Sequence, residues 1–215
     1  AGPYLEGLRG GRYSESGLDD KVRRVLRLIF RTTMSGRTDF GSFASPEHFR
    51  MSRDVAQEGI VLLKNENRAL PLDLPSVKRI LVVGDNATAR HCWGGGSMGV
   101  KTKREITPLE GIRNLVGDKA EVAFVRGYRP VGNGLESDDA VELREEAVEA
   151  AKNADVVLFF GGHNRWAHQD CEGMDRVSYE LPYSQNQLIE ALGRVADKLV
   201  VTLVSGSAVS MPWLD

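Results

Sequence analysis

Residues 170–176 (DCEGMDR) concentrate ionisable side chains in a stretch that has neither helical nor strand periodicity. The segment follows an apolar run at residues 155–160 (DVVLFF), which predicts a buried strand that ends at Gly161 and Gly162. No helical or strand period is present from Gly161 to Pro182, and an irregular connection of this length inside a compact domain is usually functional or disordered. Ligands of open α/β sheets bind at the carboxyl ends of the strands, where a carboxyl group on a loop is a natural proton donor. We therefore interpret Glu172 as the candidate catalytic acid.

The charges around Glu172 act on its pKa in opposite directions. Asp170 and Asp175 would raise the pKa by adding nearby negative charge, whereas Arg176 would lower it. The sequence leaves open which effect is larger. For Asp175 and Arg176 themselves, we expect an ion pair that shapes the loop.

Aromatic and imidazole side chains lie beside the candidate acid and beside a glycine-rich segment. The rings of Trp93 and Trp166 can stack on the apolar faces of sugars, and an aromatic ring that only anchors its loop is an equal alternative. We place His163 with them as a candidate for substrate binding. The spacing of His163 and His168 is not typical of a metal site, so we expect no metal, and no motif calls for a cofactor.

Residues 94–99 (GGGSMG) match two well-known catalytic or binding patterns. Dinucleotide binding requires the glycines to connect a strand directly to a helix, and a nucleophile elbow at Ser97 requires the same context. Here the preceding strand is predicted to end near Gly84, and residues 100–107 separate the glycines from the next helix. We favour a loop in which Gly95, Gly96 and Ser97 let the backbone approach a ligand closely. A nucleotide-binding module without catalytic activity remains the alternative.

Apolar runs alternate with amphipathic segments over most of the chain, which predicts an α/β fold with a mostly parallel sheet covered by helices on both faces. The predicted strands are residues 79–83, 120–125, 155–160 and 198–204, and the predicted helices are 108–115, 137–152 and 184–196. Two helices are expected before the sheet. The first has a possible cap at Asp19, and the second begins at Ser45 and Pro46 and is expected to end near Asn65.

The composition excludes several classes of protein. A net charge of −2 over 215 residues gives no reason to expect nucleic acid or an anionic membrane as a partner. The chain contains no apolar run near the roughly 20 residues that span a bilayer. Two cysteines are not a disulfide framework, and the sequence leaves open whether Cys92 and Cys171 form a bridge or remain free thiols.

Several motifs together resemble glycoside hydrolase family 3, the family of β-glucosidases and β-xylosidases, and the resemblance covers essentially the whole chain. The segment AQEGIVLLKNE at residues 56–66, followed by LPL at 70–72, is the most specific of these motifs. The others are residues 19–26, 94–97, 172–176, 181–185, 206–209 and 211–213.

The resemblance implies a retaining mechanism whose active site is shared by two domains. A (β/α) barrel supplies an aspartate nucleophile, and an α/β sandwich of six strands supplies the acid/base, which matches Glu172 in this sequence. The nucleophile motif, Ser-Asp-Trp or similar, does not occur here. We therefore expect an internal fragment of a longer enzyme, with the missing barrel domain as its partner. Family members are often periplasmic or secreted, and the compartment of this protein is left undecided.

The expected domain organisation follows from the same resemblance. Residues 1–34 would be the helical end of the barrel, residues 35–50 a linker and helix start, and residues 51–215 a C-terminally incomplete sandwich. The expected substrates are oligosaccharides or β-glycosides with a terminal non-reducing glucosyl residue. A β-xylosidase or an exo-β-glucanase of the same family is the alternative.

The absence of the nucleophile motif leads to the first testable prediction. The 215-residue chain should not hydrolyse an aryl β-glucoside, because a proton donor without a nucleophile cannot form a glycosyl–enzyme intermediate. Release of the phenol by the purified chain can be followed by absorbance. Turnover well above the uncatalysed rate would contradict the assignment of the nucleophile to another domain.

Overall fold

The computed structural model describes residues 2–34, 36, 41–92, 99–164, 169 and 176–214. The chain divides into two compact units, Ala1–Gly59 and Ile60–Asp215. The helices of the first unit are α1 (Gly2–Arg9), α2 (Glu15–Thr32) and α3 (Pro46–Gly59). In the second unit the elements are β1 (Arg79–Val83), α4 (Pro108–Val116), β2 (Glu121–Val125), α5 (Ala140–Ala151), β3 (Val156–Gly162), α6 (Gln185–Gly193) and β4 (Leu199–Val204).

The strands of the described residues form one four-stranded sheet in the order β2-β1-β3-β4, and every neighbouring pair is parallel. Successive residues of β1 point to opposite faces. Ile80 and Val82 pack with Leu109 of α4 on one face, whereas Leu81 and Val83 belong to the cluster formed with α5 and α6 on the other. The predicted α/β fold, with a parallel sheet covered by helices on both faces, is confirmed.

The predicted boundaries differ from the observed ones mainly at the helices of the first unit. Asp19 does not cap α2; the cap is Ser14, whose hydroxyl accepts a hydrogen bond from the backbone N–H of Gly17 at 3.1 Å. Helix α3 ends at Gly59 rather than near Asn65. Glycine has a low helix propensity and two β-branched residues follow it, so the segment after Gly59 gains little from a helical conformation.

The first unit exposes the apolar side of its longest helix. None of the residues of α2 is buried, and Val22, Val25 and Ile29 are all at least 40% exposed. Such a stripe is stable in a folded protein when another surface covers it. Among the described residues, no helix is long and apolar enough to cross a bilayer.

Two glycines allow the strands to lie close together at their carboxyl ends. Gly84, directly after β1, has φ +117°, and a Cβ at this position would lie 1.9 Å from the carbonyl oxygen of Phe160. Gly162, at the end of β3, has φ +107°, and its Cβ would lie 2.0 Å from the carbonyl oxygen of Val204. A side chain at either position would therefore force neighbouring strands apart.

At the opposite edge of the sheet, Asp155 joins the starts of β1 and β3. Its Oδ2 accepts hydrogen bonds from the backbone N–H groups of Lys78 and Arg79, both at 2.8 Å. Its Oδ1 lies 3.3 Å from the Arg79 guanidinium. The hydrogen bonds from the Lys78 and Arg79 backbone, with the ion pair to Arg79, lower the pKa of Asp155. These bonds fix the register in which β3 enters the sheet.

We expect Asp155→Asn to lower the stability of the chain at neutral pH. Because the pKa of Asp155 is lower in the folded than in the unfolded state, its contribution is present above the unfolded pKa of about 3.9 and is lost as the pH falls through the folded pKa. Urea midpoints measured from pH 7 down to pH 3 should show a difference between parent and variant that shrinks with acidification. Asp118→Asn, a change at an exposed aspartate, is the control. A constant difference over this range would contradict the electrostatic origin.

Candidate active site

The candidate site lies at the carboxyl edge of the sheet, where the strand order reverses. From β1 the chain continues to β2 on one side, whereas β3 pairs with β1 on the other, with Val83 opposite Phe159. The crevice between two such strands is the usual ligand site of an open α/β sheet. The connection that carries the glycine-rich segment leaves β1, and the connection that carries Glu172 leaves β3. The two connections that carry candidate site residues therefore begin at neighbouring strands.

A buried tyrosine joins the two connections beneath the edge. Tyr128 follows β2, is 2% exposed, and accepts a hydrogen bond from the backbone N–H of Asn86 at 3.2 Å. Its hydroxyl donates to the carbonyl oxygen of Phe160, also at 3.2 Å. Burial raises the pKa of Tyr128 far above its usual value, so the hydroxyl stays protonated and keeps both bonds. The side-chain amide of Asn86 donates to the carbonyl oxygen of His163 at 3.2 Å.

Gln185, the first residue of α6, binds both backbone groups of the last residue of β3. Its Oε1 accepts from the N–H of Gly162 at 2.8 Å, and its Nε2 donates to the carbonyl oxygen of Gly162 at 2.9 Å. The Gln185 side chain is fully buried. The paired bonds mimic a further strand at this point and hold the residue from which the Glu172 connection begins.

His163, the next residue, is buried, and each of its ring nitrogens faces a polar group. Nδ1 lies 3.0 Å from Oγ of Ser205, and Nε2 lies 3.2 Å from Nη1 of Arg176. The Ser205 hydroxyl donates to the carbonyl oxygen of Ser207 at 2.5 Å, so it accepts from His163, and Nδ1 carries the proton. Because a guanidinium can only donate, Nε2 is an acceptor. The network therefore selects the neutral Nδ1–H tautomer of His163.

Arg176 also contacts the segment after β4. Its Nη2 donates to the carbonyl oxygen of Ala208 at 2.7 Å, and its Cζ lies 5.9 Å from the centre of the Tyr179 ring. Arg176 therefore connects the end of β3, the segment after β4 and the chain that follows the candidate acid.

A charged cluster lies next to the end of β1. Oδ1 of Asp85 is 3.1 Å from Nε of Arg126. Burial raises the pKa of Asp85, and the positive charges of Arg126, Arg129 and His91 oppose that shift. Nothing in the sequence marked Asp85 or Tyr128 as part of the site, although each lies within three residues of the end of a predicted strand, and that position was the available signal.

A hydrogen bond joins residues that lie before and after the glycine-rich segment. Oε1 of Glu105 accepts the backbone N–H of Cys92 at 3.0 Å. Although burial would raise the pKa of Glu105, its hydrogen bonds to Cys92 and to the backbone of His91 lower it. Cys92 itself is an exposed free thiol. Since Cys171 lies outside the described residues, its state stays a prediction.

Of the predicted site residues, only His163 belongs to the part of the chain that the structure describes. It is 2% exposed, and its contact with a substrate stays a prediction. The others lie outside the described residues, as does the expected partner of Arg176, Asp175. These residues are Glu172, Trp166, Trp93, Gly95, Gly96 and Ser97. Within the described ranges, no group of three or more histidines, cysteines and carboxylates is arranged to hold a metal ion.

Comparisons with known proteins identify relatives across the chain. The model of the glycosyl hydrolase family 3 C-terminal domain matches residues 60–215. The beta-glucosidase BoGH3A of Bacteroides ovatus is 47% identical over 98% of this chain and 30% of its own length. An exo-alpha-(1->6)-L-arabinopyranosidase of Bifidobacterium breve is 32% identical over 96% of this chain and 27% of its own length. The crystal structure of a Bifidobacterium adolescentis GH3 beta-glucosidase superposes with a TM-score of 0.76, at 30% identity, over 98% of this chain and 30% of that one. The chain thus spans less than a third of the length of these relatives.

The hydroxyl of Tyr128 gives a testable prediction about this edge. Tyr128→Phe should lower the free energy of unfolding by about 1–3 kcal/mol, because the buried N–H of Asn86 and the carbonyl of Phe160 lose their partner. Urea denaturation of the chain measures this change. Tyr179→Phe, at a ring that is 71% exposed, is the matched control and should change stability little. Equal effects of the two substitutions would contradict the role of the buried hydroxyl.

Proposed function

Because this chain belongs to glycoside hydrolase family 3, through the C-terminal domain of that family, we propose that it forms part of a retaining exo-acting β-glycosidase. In this proposal the chain supplies the general acid/base, Glu172, and a barrel domain of the same protein supplies the nucleophile. The substrate is an oligosaccharide or another β-glycoside. We favour a β-glucosidase that removes terminal non-reducing glucosyl residues.

The mechanism has two steps that share one carboxyl group. In the first step the nucleophilic carboxylate attacks the anomeric carbon, while Glu172 protonates the departing glycosidic oxygen. In the second step the Glu172 carboxylate removes a proton from water, which attacks the glycosyl–enzyme intermediate. Retention of configuration requires the two carboxyl groups to lie about 5–5.5 Å apart. The surface that carries Glu172 must therefore meet the barrel face that holds the sugar.

The observation that carries this proposal is the pairing of β1 with β3. The two irregular connections that bear candidate site residues begin at neighbouring strands, on the two sides of the point where the strand order reverses. Gly84 allows β1 and β3 to lie close together, Gly162 does the same for β3 and β4, and Tyr128 and Gln185 bind the backbone from which the connections begin. A short, hydrogen-bonded base of this kind supports precise presentation of a catalytic carboxyl group.

We propose that the remaining candidates for substrate binding lie on the leaving-group side of the site. Trp93, Trp166 and the backbone of Gly95, Gly96 and Ser97 would contact the departing sugar or aglycone. The residues that select the terminal sugar lie in the barrel. The alternative specificities, β-xylosidase and exo-β-glucanase, therefore fit this segment as well, and so does the arabinopyranosidase named among the relatives.

The domain organisation belongs to the same proposal. Residues 1–34 would complete the barrel, residues 35–50 would lead out of it, and residues 51–215 would belong to the sandwich. The exposed apolar stripe of α2 supports this arrangement, because a helix that closes a barrel packs that stripe on its neighbours.

Glu172→Gln in the full-length protein tests the assignment of the acid. For an alkyl glucoside or a disaccharide, whose leaving groups need protonation, kcat/KM should fall on the order of a hundredfold. For a dinitrophenyl glucoside, whose leaving group departs as the anion, kcat/KM should change little. The kcat for that substrate should still fall, with a burst of phenol, because the second step also loses its base.

Asp170→Asn is the matched control for this experiment, since it makes the same change from carboxylate to amide two residues away. It should preserve the ratio of kcat/KM between the two substrates. If Glu172→Gln slows both substrates equally while Asp170→Asn separates them, Asp170 is the acid and our assignment is wrong.

A further inference from the structure

We propose that Arg176 and His163 are positioning residues, which together hold the segment carrying the acid/base in its working place at the edge of the sheet. The inference rests on the proposed function, because it presupposes that Glu172 donates the proton. It goes beyond the sequence analysis, in which Arg176 was paired with Asp175 and His163 was a substrate contact.

Arg176 binds two segments that follow separate strands of the sheet. Its Nη1 lies 3.2 Å from Nε2 of His163, directly after β3. Its Nη2 donates at 2.7 Å to the carbonyl oxygen of Ala208, after β4. A planar guanidinium that binds two acceptors in fixed directions restrains both the position and the orientation of its side chain. Arg176 thus binds the segments that follow two neighbouring strands of the sheet.

The hydrogen bonds of His163 determine which of its ring nitrogens carries the proton. Its Nδ1–H donates to Ser205 Oγ, whose own proton goes to the carbonyl oxygen of Ser207. This chain of bonds leaves Nε2 as the acceptor that Arg176 needs. The imidazole is 2% exposed, so water competes little for either nitrogen. His163 therefore presents a preformed acceptor to Arg176 rather than a side chain that reaches into solvent.

Glu172 lies close to Arg176 along the chain. Arg176 is four positions after Glu172, so their Cα atoms are at most about 14 Å apart. On the other side, Gln169 precedes Glu172 by three residues, which limits that distance to about 11 Å. The side chain of Gln169 is 7% exposed, and its Nε2 would lie 2.4 Å from a Cβ at Gly134, in the connection after β2. In the chain, the acid thus lies between a buried glutamine and an arginine that binds two acceptors.

These two side chains contact different segments of the chain. Gln169 lies next to Gly134, in the connection that follows β2, and Arg176 binds the segments that follow β3 and β4. Loss of the Arg176 anchor should leave the chain folded around Gln169 but allow the acid to move relative to the glycosidic oxygen. Small displacements of a catalytic group of this kind are costly in rate.

The test uses the full-length enzyme and two substrates, an alkyl glucoside and a dinitrophenyl glucoside. Arg176→Met should lower kcat/KM for the alkyl glucoside on the order of tenfold, with little change for the dinitrophenyl glucoside, because only the former needs a well-placed proton donor. Arg79→Met is the matched control. It removes an arginine from the opposite edge of the sheet, where Arg79 pairs with Asp155, and should not change the ratio of the two values.

Two substitutions of His163 separate positioning from simple packing. His163→Gln retains an acceptor near the place of Nε2 and should preserve much of the activity on the alkyl glucoside. His163→Asn retains a donor near the place of Nδ1 but loses the acceptor, and should resemble Arg176→Met. If Arg176→Met does not yield folded protein, this pair and Arg176→Lys, which cannot bind both acceptors at once, carry the same comparison.

Three outcomes would overturn the inference. The first is an equal loss for both substrates in Arg176→Met or His163→Asn, which indicates a general structural defect. The second is an unchanged ratio in all variants. The third is a raised KM with unchanged kcat in His163→Gln, which indicates direct contact with substrate. Glu172→Gln, measured in parallel, distinguishes these from failure of the proposed function, because that failure would remove the substrate dependence of Glu172→Gln itself.

Discussion

The parallel pairing of β1 with β3 is the constraint on which the rest of the second unit depends. It brings Val83 opposite Phe159 and thereby starts two irregular connections side by side. The pairing is fixed at both ends of the strands. Asp155 binds the backbone at the start of β1, and the absence of a side chain at Gly84 permits the close approach of Phe160 at the other end. Apolar burial holds the strands in the sheet, while these polar and steric contacts determine their register.

Several buried polar side chains beneath the candidate site bind backbone groups at the end of β3. Tyr128, Asn86 and Gln185 all bind backbone groups of residues 160–163, which form the end of β3 and the start of the Glu172 connection. An unsatisfied buried polar group would cost about 1–3 kcal/mol, so each bond penalises alternative positions of this backbone. The network therefore restrains the backbone of residues 160–163. In the proposed function, this restraint would suit a carboxyl group that donates a proton to a substrate held by another domain.

The sequence predicted the sheet well and the polar network poorly, for one physical reason. Strands such as β1 are recognised by a local apolar run, and the observed Arg79–Val83 matches the predicted residues. The cap of α2 was misassigned to Asp19 because several polar residues precede the helix and any of them can serve; only the backbone conformation of Ser14 decides. The bonds of Tyr128 join residues that are 42 and 32 positions apart, and no local pattern carries such information. In the candidate site, the segment and its acid remain predictions from the sequence, whereas the polar contacts next to that segment were visible only in the structure.

His163 illustrates why residue type and position alone do not determine a role. A histidine after a strand at the carboxyl edge of a sheet is a reasonable substrate ligand, and the sequence contained nothing against that interpretation. The structure adds that both nitrogens face protein groups and that the ring is buried. A neutral imidazole between a hydroxyl and a guanidinium carries no net charge, so it can order Arg176 without the desolvation penalty of a buried ion pair. A carboxylate in the same place would bind Arg176 more strongly, but its negative charge would raise the pKa of any carboxyl group close to it. In the proposed function, a neutral acceptor could thus hold Arg176 without changing the pKa of the proton donor.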